Sequence, residues 1–161
     1  MNKILSRDPT NLNLTPEEKI IIIKARNHLK YLPSSLGVFL MAINWIDPEQ
    51  VLIVLKELHE WKKPDNVEEY VPLLDVRFHN EYVRTYAVEN LSKLTDKDVE
   101  LYLLNLTMAM AYEPEPYNPL TEFLLERSVK NFSVVGTKFY WMIRAWLHWK
   151  VTHIRYTTVL E

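Results

Sequence analysis

The chain contains no cysteine, so neither disulfides nor thiolate metal sites can hold it together, a composition compatible with a reducing compartment. It has only two glycines, Gly37 and Gly136. Tight β-hairpins and phosphate-cradling loops need positive φ or close backbone approach, so both are disfavoured, and with them a β-rich fold. No uncharged apolar run approaches the roughly 20 residues that span a bilayer. The N-terminal stretch MNKILSRDPTNLNL lacks the apolar core and small-residue cleavage site of a signal peptide. A net charge of -2 gives no general field for phosphate backbones and no Lys/Arg cluster makes a local one, so nucleic acid is not an expected partner. A cytoplasmic location is expected, where the Asn-x-Ser/Thr triplets at Asn13, Asn90, Asn105 and Asn131 would not be glycosylated.

Catalytic signatures are missing as well. There is no Gly-rich loop, no P-loop, and no Asp-Phe-Gly or His-Arg-Asp run of the kind that phosphoryl transfer uses. His28, His59, His79, His148 and His153 are scattered without an i, i+4 pair, so a metal site would have to be assembled from distant segments. The acids Glu68-Glu69 and Asp96/Asp98 fall at helix starts, and Glu113/Glu115 in a proline-rich loop. All six are read as solvated or capping residues in preference to acid/base pairs. No catalytic residue, metal or cofactor is expected in this chain.

What is present points to helices. A chain of 161 residues, 48% hydrophobic and 25% charged, fits one globular domain able to hide about 70% of its unfolded surface. Several of the nine prolines stand where a helix would begin. Thr15-Pro16-Glu17-Glu18 sets a hydroxyl cap, proline at the first helical position and a glutamate able to reach back to the cap. Asp47-Pro48 and Asn118-Pro119 repeat the cap-then-proline device, Asp65 to Glu68 repeats the capping box, and Thr95 to Asp98 gives a cap followed by first-turn acids. The spacing predicts helices over about 16 to 31, 33 to 43, 48 to 61, 66 to 73, 79 to 93, 96 to 111, 119 to 130 and 134 to 149. Their expected inward stripes are Ile21, Ile22, Ala25, His28 and Leu29; Val51, Leu52, Leu55 and Leu58; Val83, Tyr86, Ala87, Asn90, Leu91 and Leu94; Leu101, Leu104, Met108 and Ala111; and Leu120, Phe123, Leu124 and Val129. The run Ile20 to Ile23 has strand propensity, but the cap before it and the charges after it favour helix. Short connections force antiparallel neighbours, and strong starts recur at about 32 residues. The expected fold is all-α, an α-α superhelix of antiparallel helix pairs of HEAT/armadillo type, resting on helix spacing more than on matching residues.

The blocks VRTYAVENL from Val83, LYLLNLTMAMAYEP from Leu101, FLLERSVKN from Phe123 and FYWMIRA from Phe139, with TPEEK from Thr15 and INWIDPEQV from Ile43 upstream, resemble in order and spacing the helical accessory (PIK) domain of phosphatidylinositol 3-kinases. The resemblance implies a linker over 1–14, the accessory domain over 15–150, and a tail or linker over 151–161 toward a kinase domain outside this chain. It further implies a scaffold without catalytic residues, with MgATP and the inositol lipid handled by that kinase domain, and a cytoplasmic parent recruited peripherally to membranes. Within the blocks, Tyr86 and Ala87 read as a large and a small residue side by side at a helix contact, and Arg84 as a partner for an acid on a neighbouring helix. Family members that bind SH2-containing regulatory subunits carry acids just before and within the first helix. Here Asn13 and Pro16 occupy that stretch, with acids only at Glu17 and Glu18, so a regulatory subunit of that kind is not implied. The short link from Ala111 to Asn118 is unlike the long insertion of the vacuolar-sorting type, and the run Ile20 to Ile23 replaces an aromatic-rich helix start. A free-standing helical-repeat adaptor that binds proteins on a concave face is the alternative.

The segment from Phe139 to Val151 carries more apolar surface than one helical face can bury. Trp141, Arg144, Trp146 and Trp149 are its candidate contact residues, and three readings stay open: ordinary core, a docking surface for the kinase domain, or an interfacial membrane helix. The β-branched tail THIRYTTVLE reads as a strand leaving the domain or as a linker.

Overall fold

The computed structural model describes residues 13–150 and 152–160; the linker expected over 1–14 therefore lies mostly outside the described residues. Every regular element among those residues is helical, and none is a strand. The chain forms two compact units, Met1–Glu69 and Tyr70–Glu161.

The first unit contains α1 (Pro16–Leu29), a 3-10 turn at Pro33–Ser35, α2 (Leu36–Ala42), α3 (Pro48–Glu57) and a 3-10 turn at Leu58–Glu60. Thr15 starts α1 as its sequence requires. Its hydroxyl accepts from the Glu18 N–H at 3.2 Å and the Glu18 carboxylate accepts from the Thr15 N–H at 3.0 Å, which satisfies two otherwise orphaned donors. Asp47 caps α3 by accepting from the Glu49 N–H at 3.0 Å. α1 packs on α2, and Ile22, Leu29, Phe39 and Leu40 are buried. The buried Trp61 stacks on Phe39 with centroids 4.8 Å apart and donates its indole N–H to the Leu32 carbonyl at 3.2 Å. Ion pairs from Arg26 to Glu57 (3.0 Å) and Lys30 to Glu60 (2.9 Å) tie the same segments together. The isoleucine run is helical, but Ile20 and Ile21 face water and only Ile22 of the pair expected inward is buried; His28, also expected inward, is exposed.

A 3-10 run, Val67–Leu74, leads into the second unit where an α-helix was expected over 66–73. Pro72 lies inside it and has no N–H to give, which keeps the segment from settling into a regular α-helix. Then follow α4 (Glu81–Leu91), α5 (Asp96–Ala109) with a 3-10 turn at Met110–Tyr112, α6 (Pro119–Lys130), a π turn at Phe132–Gly136, α7 (Thr137–Trp146) and α8 (His153–Leu160). Asn80, Thr95 and Asn118 cap α4, α5 and α6 with their side-chain oxygens. The core of the unit is built from Val83, Tyr86, Ala87 and Leu91 of α4, Val99, Leu103 and Leu106 of α5, Leu120 and Leu124 of α6, and Phe139 and Ile143 of α7, all buried. Burying each large apolar side chain contributes about 1.5–3 kcal/mol.

The strand considered for the tail is instead α8. Tyr156 is fully buried and its hydroxyl donates to the Thr107 carbonyl at 2.8 Å. Burial pushes that phenol up to about 12. The β-branched threonines fit the helix because Thr157 and Thr158 bond back to the carbonyls of His153 and Ile154 at 2.8 and 3.0 Å. Packing through Tyr156 thus overrides strand propensity.

Gly136 lets α7 follow α6 through a tight turn, because a Cβ there would sit 2.7 Å from the Ser128 carbonyl oxygen and 3.0 Å from Phe132 Cδ2. Replacing it, Gly136→Ala, is expected to lower the unfolding free energy by about 1–3 kcal/mol through overpacking. Urea denaturation should show a lower midpoint at unchanged slope; an unchanged midpoint would mean the turn relaxes freely.

Candidate functional site

The most heavily bonded side chain of the second unit is Arg84, 2% exposed. Its guanidinium donates to the carbonyls of Leu74 (3.0 Å), Phe78 (3.2 Å) and Ala109 (3.1 Å) and to Glu113 Oε1, from Nε at 2.8 Å and Nη2 at 2.6 Å. Leu74 and Ala109 are the last residues of their helical segments, so Arg84 supplies donors to carbonyls that a helix end leaves without partners, at the negative end of the helix dipole. The acid expected to pair with Arg84 on a neighbouring helix is in the loop after α5. That corrects the reading of Glu113 as a solvated loop residue: it is 5% exposed, buried by the contact with Arg84. A glutamate just before a proline in a loop gives no local signal of burial; the signal was a charged residue, Arg84, beside the buried stripe of α4.

A second polar cluster ties three helix ends. Asp96 at the start of α5 accepts from Arg127 Nη1 (2.8 Å) and the Asn131 amide (3.1 Å), while Arg127 Nη2 donates to the Ser92 carbonyl after α4. The Asn131 hydrogen bond, with Arg127 adding a second, holds the Asp96 carboxyl below its ordinary range. A cleft of about 190 Å³ opens beside Arg84, with Glu81, Val88, Glu115, Tyr117 and Pro119 on its walls. The buried polar groups that line it are satisfied: Arg84 bonds to Glu113, and the Asn118 amide donates to the Glu115 carbonyl and the Thr121 hydroxyl while its oxygen accepts from the Thr121 N–H. Among the described residues no group of His, Asp and Glu side chains is arranged to hold a metal ion.

The outer surface departs most from the expected pattern. On α5 the inward stripe is Val99, Leu103, Leu106 and, in the following turn, Met110. The stripe expected inward is the other one: Leu101, Leu104 and Met108 are 72%, 49% and 43% exposed, and Tyr112 continues their row. Both rows have helical spacing, so periodicity alone could not choose between them. Val129 of α6 and Leu52 of α3, also expected inward, are exposed too. Of the candidate residues of the aromatic segment, Trp141 and Trp149 are exposed at 63% and 62%, and Arg144 is exposed. Trp146 is half-buried and packs on Trp149 with ring centroids 5.5 Å apart. Phe139 and Ile143 are the core residues of the segment. Trp141, Arg144, Ala145 and His148 follow one another at helical spacing and are all exposed, which puts them on one outer face of α7 and its extension.

Among the described residues the fold is all-helical, Arg84 and Arg127 bridge its own helix ends, and apolar rows on α5 and α7 stay exposed. The family model for the phosphoinositide 3-kinase family accessory domain (PIK domain) matches residues 1–161, and the chain belongs to that family. It is 30% identical to phosphatidylinositol 3-kinase 2 of Dictyostelium discoideum over 161 residues, covering 100% of this chain and 9% of that protein. It is 30% identical to phosphatidylinositol 3-kinase 3 of the same organism over 146 residues, 90% of this chain and 8% of that one. The chain thus spans less than a tenth of the length of these relatives.

Two measurements test the polar clusters. Glu113→Ala strands a buried guanidinium and is expected to reduce stability by about 3–5 kcal/mol. The double variant Arg84→Met/Glu113→Leu should stay well below the unsubstituted chain in urea denaturation, because the carbonyls of Leu74, Phe78 and Ala109 lose their donor; full recovery would show that they do not need it. For Asp96, a folded-state pKa below the ordinary 3.8 means its stabilisation is present above that pH and is lost as pH falls through the folded value. Asp96→Asn should therefore flatten the acid limb of the stability curve below about pH 4. An acid limb unchanged by the substitution would contradict the assignment.

Proposed function

We propose that the chain is the non-catalytic helical scaffold of a phosphatidylinositol 3-kinase, with its helices continuing as antiparallel pairs of a HEAT/armadillo-like superhelix. The kinase domain of the same parent chain packs on it and uses MgATP to phosphorylate the inositol ring of a membrane lipid, in a cytoplasmic enzyme recruited peripherally to membranes. The observation that carries this reading is the second apolar row of α5. Leu101, Leu104, Met108 and Tyr112 are exposed together, and a contiguous uncharged row of this size marks a protein contact more than a wetted surface. The family match over the whole chain and the much greater length of the relatives support a covering partner in another part of the parent. The tryptophan face of α7, the other candidate for interdomain contact, carries charge at Arg144.

Two experiments test the reading. The purified chain, given MgATP and phosphatidylinositol vesicles, is expected to release no lipid phosphate above the blank; steady lipid-dependent turnover would overturn the non-catalytic assignment. Leu101→Asp/Met108→Asp, at positions that face water here, should leave the denaturation of this chain within about 0.5 kcal/mol of the unsubstituted one. The same pair in the parent enzyme should lower its melting temperature and its lipid turnover. A parent enzyme indifferent to both substitutions would remove α5 from the interdomain contact.

A further inference from the structure

From Arg127 to Leu160 the chain contains no aspartate and no glutamate. The cations in this stretch are Arg127, Lys130, Lys138, Arg144, Lys150 and Arg155, although the chain as a whole is acidic at -2. Four of them are spent within the fold. Arg127 pairs with Asp96, Lys130 with Glu126 and Lys138 with Glu100, while Arg155 donates to the carbonyls of Glu113 and Glu115. Arg144 and Lys150 remain exposed, and among the described residues neither has an ion-pair partner. They sit at the corner where α7 turns into α8, together with exposed His148 and His153.

Along the outer face of α7 and at the turn into α8, large apolar side chains stand out into water. Trp141 is 63% exposed, Trp149 62% and Ile154 78%. The geometry of the turn is fixed from within: the Thr152 hydroxyl donates to the carbonyls of Trp146 (3.2 Å) and Trp149 (3.3 Å), and the His153 N–H donates to the Trp149 carbonyl at 2.9 Å. The backbone of Trp146 and Trp149 is thus held in place by a bonded turn, while Trp141 is carried by α7 itself. Indole rings and an isoleucine flanked by arginine and lysine, with no carboxylate on their own elements, match the headgroup region of an anionic bilayer. Indole settles at the boundary between headgroups and acyl chains, and each cation gains from the negative surface potential. A protein partner for such a corner would have to bring a matching acidic surface, whereas an anionic leaflet supplies that charge everywhere.

We propose that the corner formed by Trp141, Arg144, Trp149, Lys150 and Ile154 docks on the surface of an anionic phospholipid bilayer. The contact is peripheral, since no helix of the described residues is long and apolar enough to cross a membrane. It stands apart from the scaffold reading, because it uses a different surface from the α5 row.

The test is flotation of the full 161-residue chain with vesicles of phosphatidylcholine alone and of equimolar phosphatidylcholine and phosphatidylserine. The chain should float with the mixed vesicles, stay behind with pure phosphatidylcholine, and be released from the mixed vesicles by high salt. Arg144→Glu/Lys150→Glu should weaken the partition by roughly 30-fold or more. Trp141→Ser/Trp149→Ser should weaken it as well, and should abolish quenching of the chain's fluorescence by lipids brominated along the acyl chain. Far-UV circular dichroism checks that these surface variants keep the fold; if one does not, the lipid and salt dependence of the unsubstituted chain decides alone. Partition that is equal for the two vesicle types, or insensitive to the charge reversal in a folded variant, would overturn the proposal. So would a chain that fails to float while its sedimentation coefficient rises with concentration and falls back in the tryptophan variant, which would assign the corner to a second copy.

Discussion

Arg84 sets the arrangement of the second unit. One guanidinium, buried on α4, reaches the ends of the 3-10 run Val67–Leu74 and of α5, the loop carbonyl of Phe78 and the carboxylate of Glu113. Helix ends carry carbonyls without intrahelical partners, and bringing them into the interior is unfavourable unless something donates to them. A planar group with several fixed N–H bonds can do this for separate segments at once, which a lysine or an apolar side chain cannot. Glu113 then balances the charge of the buried guanidinium.

The outer part of the unit follows from the same economy of surface. α5 carries apolar residues on two sides, and only the row from Val99 to Met110 is buried, with the π turn and α7 packed on the helix. The row from Leu101 to Tyr112 is left over. α7 shows the complementary case: Phe139 and Ile143 go inward, whereas Trp141 and the cations beyond it stay outside. The two uncovered surfaces differ in chemistry. One is uncharged and suits another protein surface, and the other combines indoles with unpaired cations and suits an anionic interface. The chain spans less than a tenth of the length of the relatives it matches.

Helix starts were the most legible feature of the sequence. Thr15, Asp47, Thr95 and Asn118 each cap a helix at the expected residue, because a cap is a local bond between a side chain and N–H groups two or three positions ahead. The inward stripe of α4 was equally legible, since Val83, Tyr86, Ala87 and Leu91 are all buried and only Tyr82 of its large apolar residues faces water. Where a helix offered two apolar rows, as in α1 and α5, the pattern had two answers, and the residues named for α5 were those that face outward. For the contact surface, Trp141, Arg144 and Trp149 were identifiable as surplus apolar surface with charge, and the structure leaves these three exposed. The row on α5 was missed because it was mistaken for core.

By itself, then, the sequence determined the elements that depend on neighbours a few residues apart: all-helical composition, helix starts, the exclusion of disulfides, and a family likeness carried by ordered blocks. Only the tertiary structure decided what depends on residues far apart in the chain. It turned the β-branched tail into α8, because the Tyr156 hydroxyl finds the Thr107 carbonyl. It buried Glu113, because Arg84 needs a counter-charge. It chose which row of α5 faces inward. The physical reason is common to all three: local bonding fixes backbone form at short range, while burial is settled by whatever other segments arrive to share it.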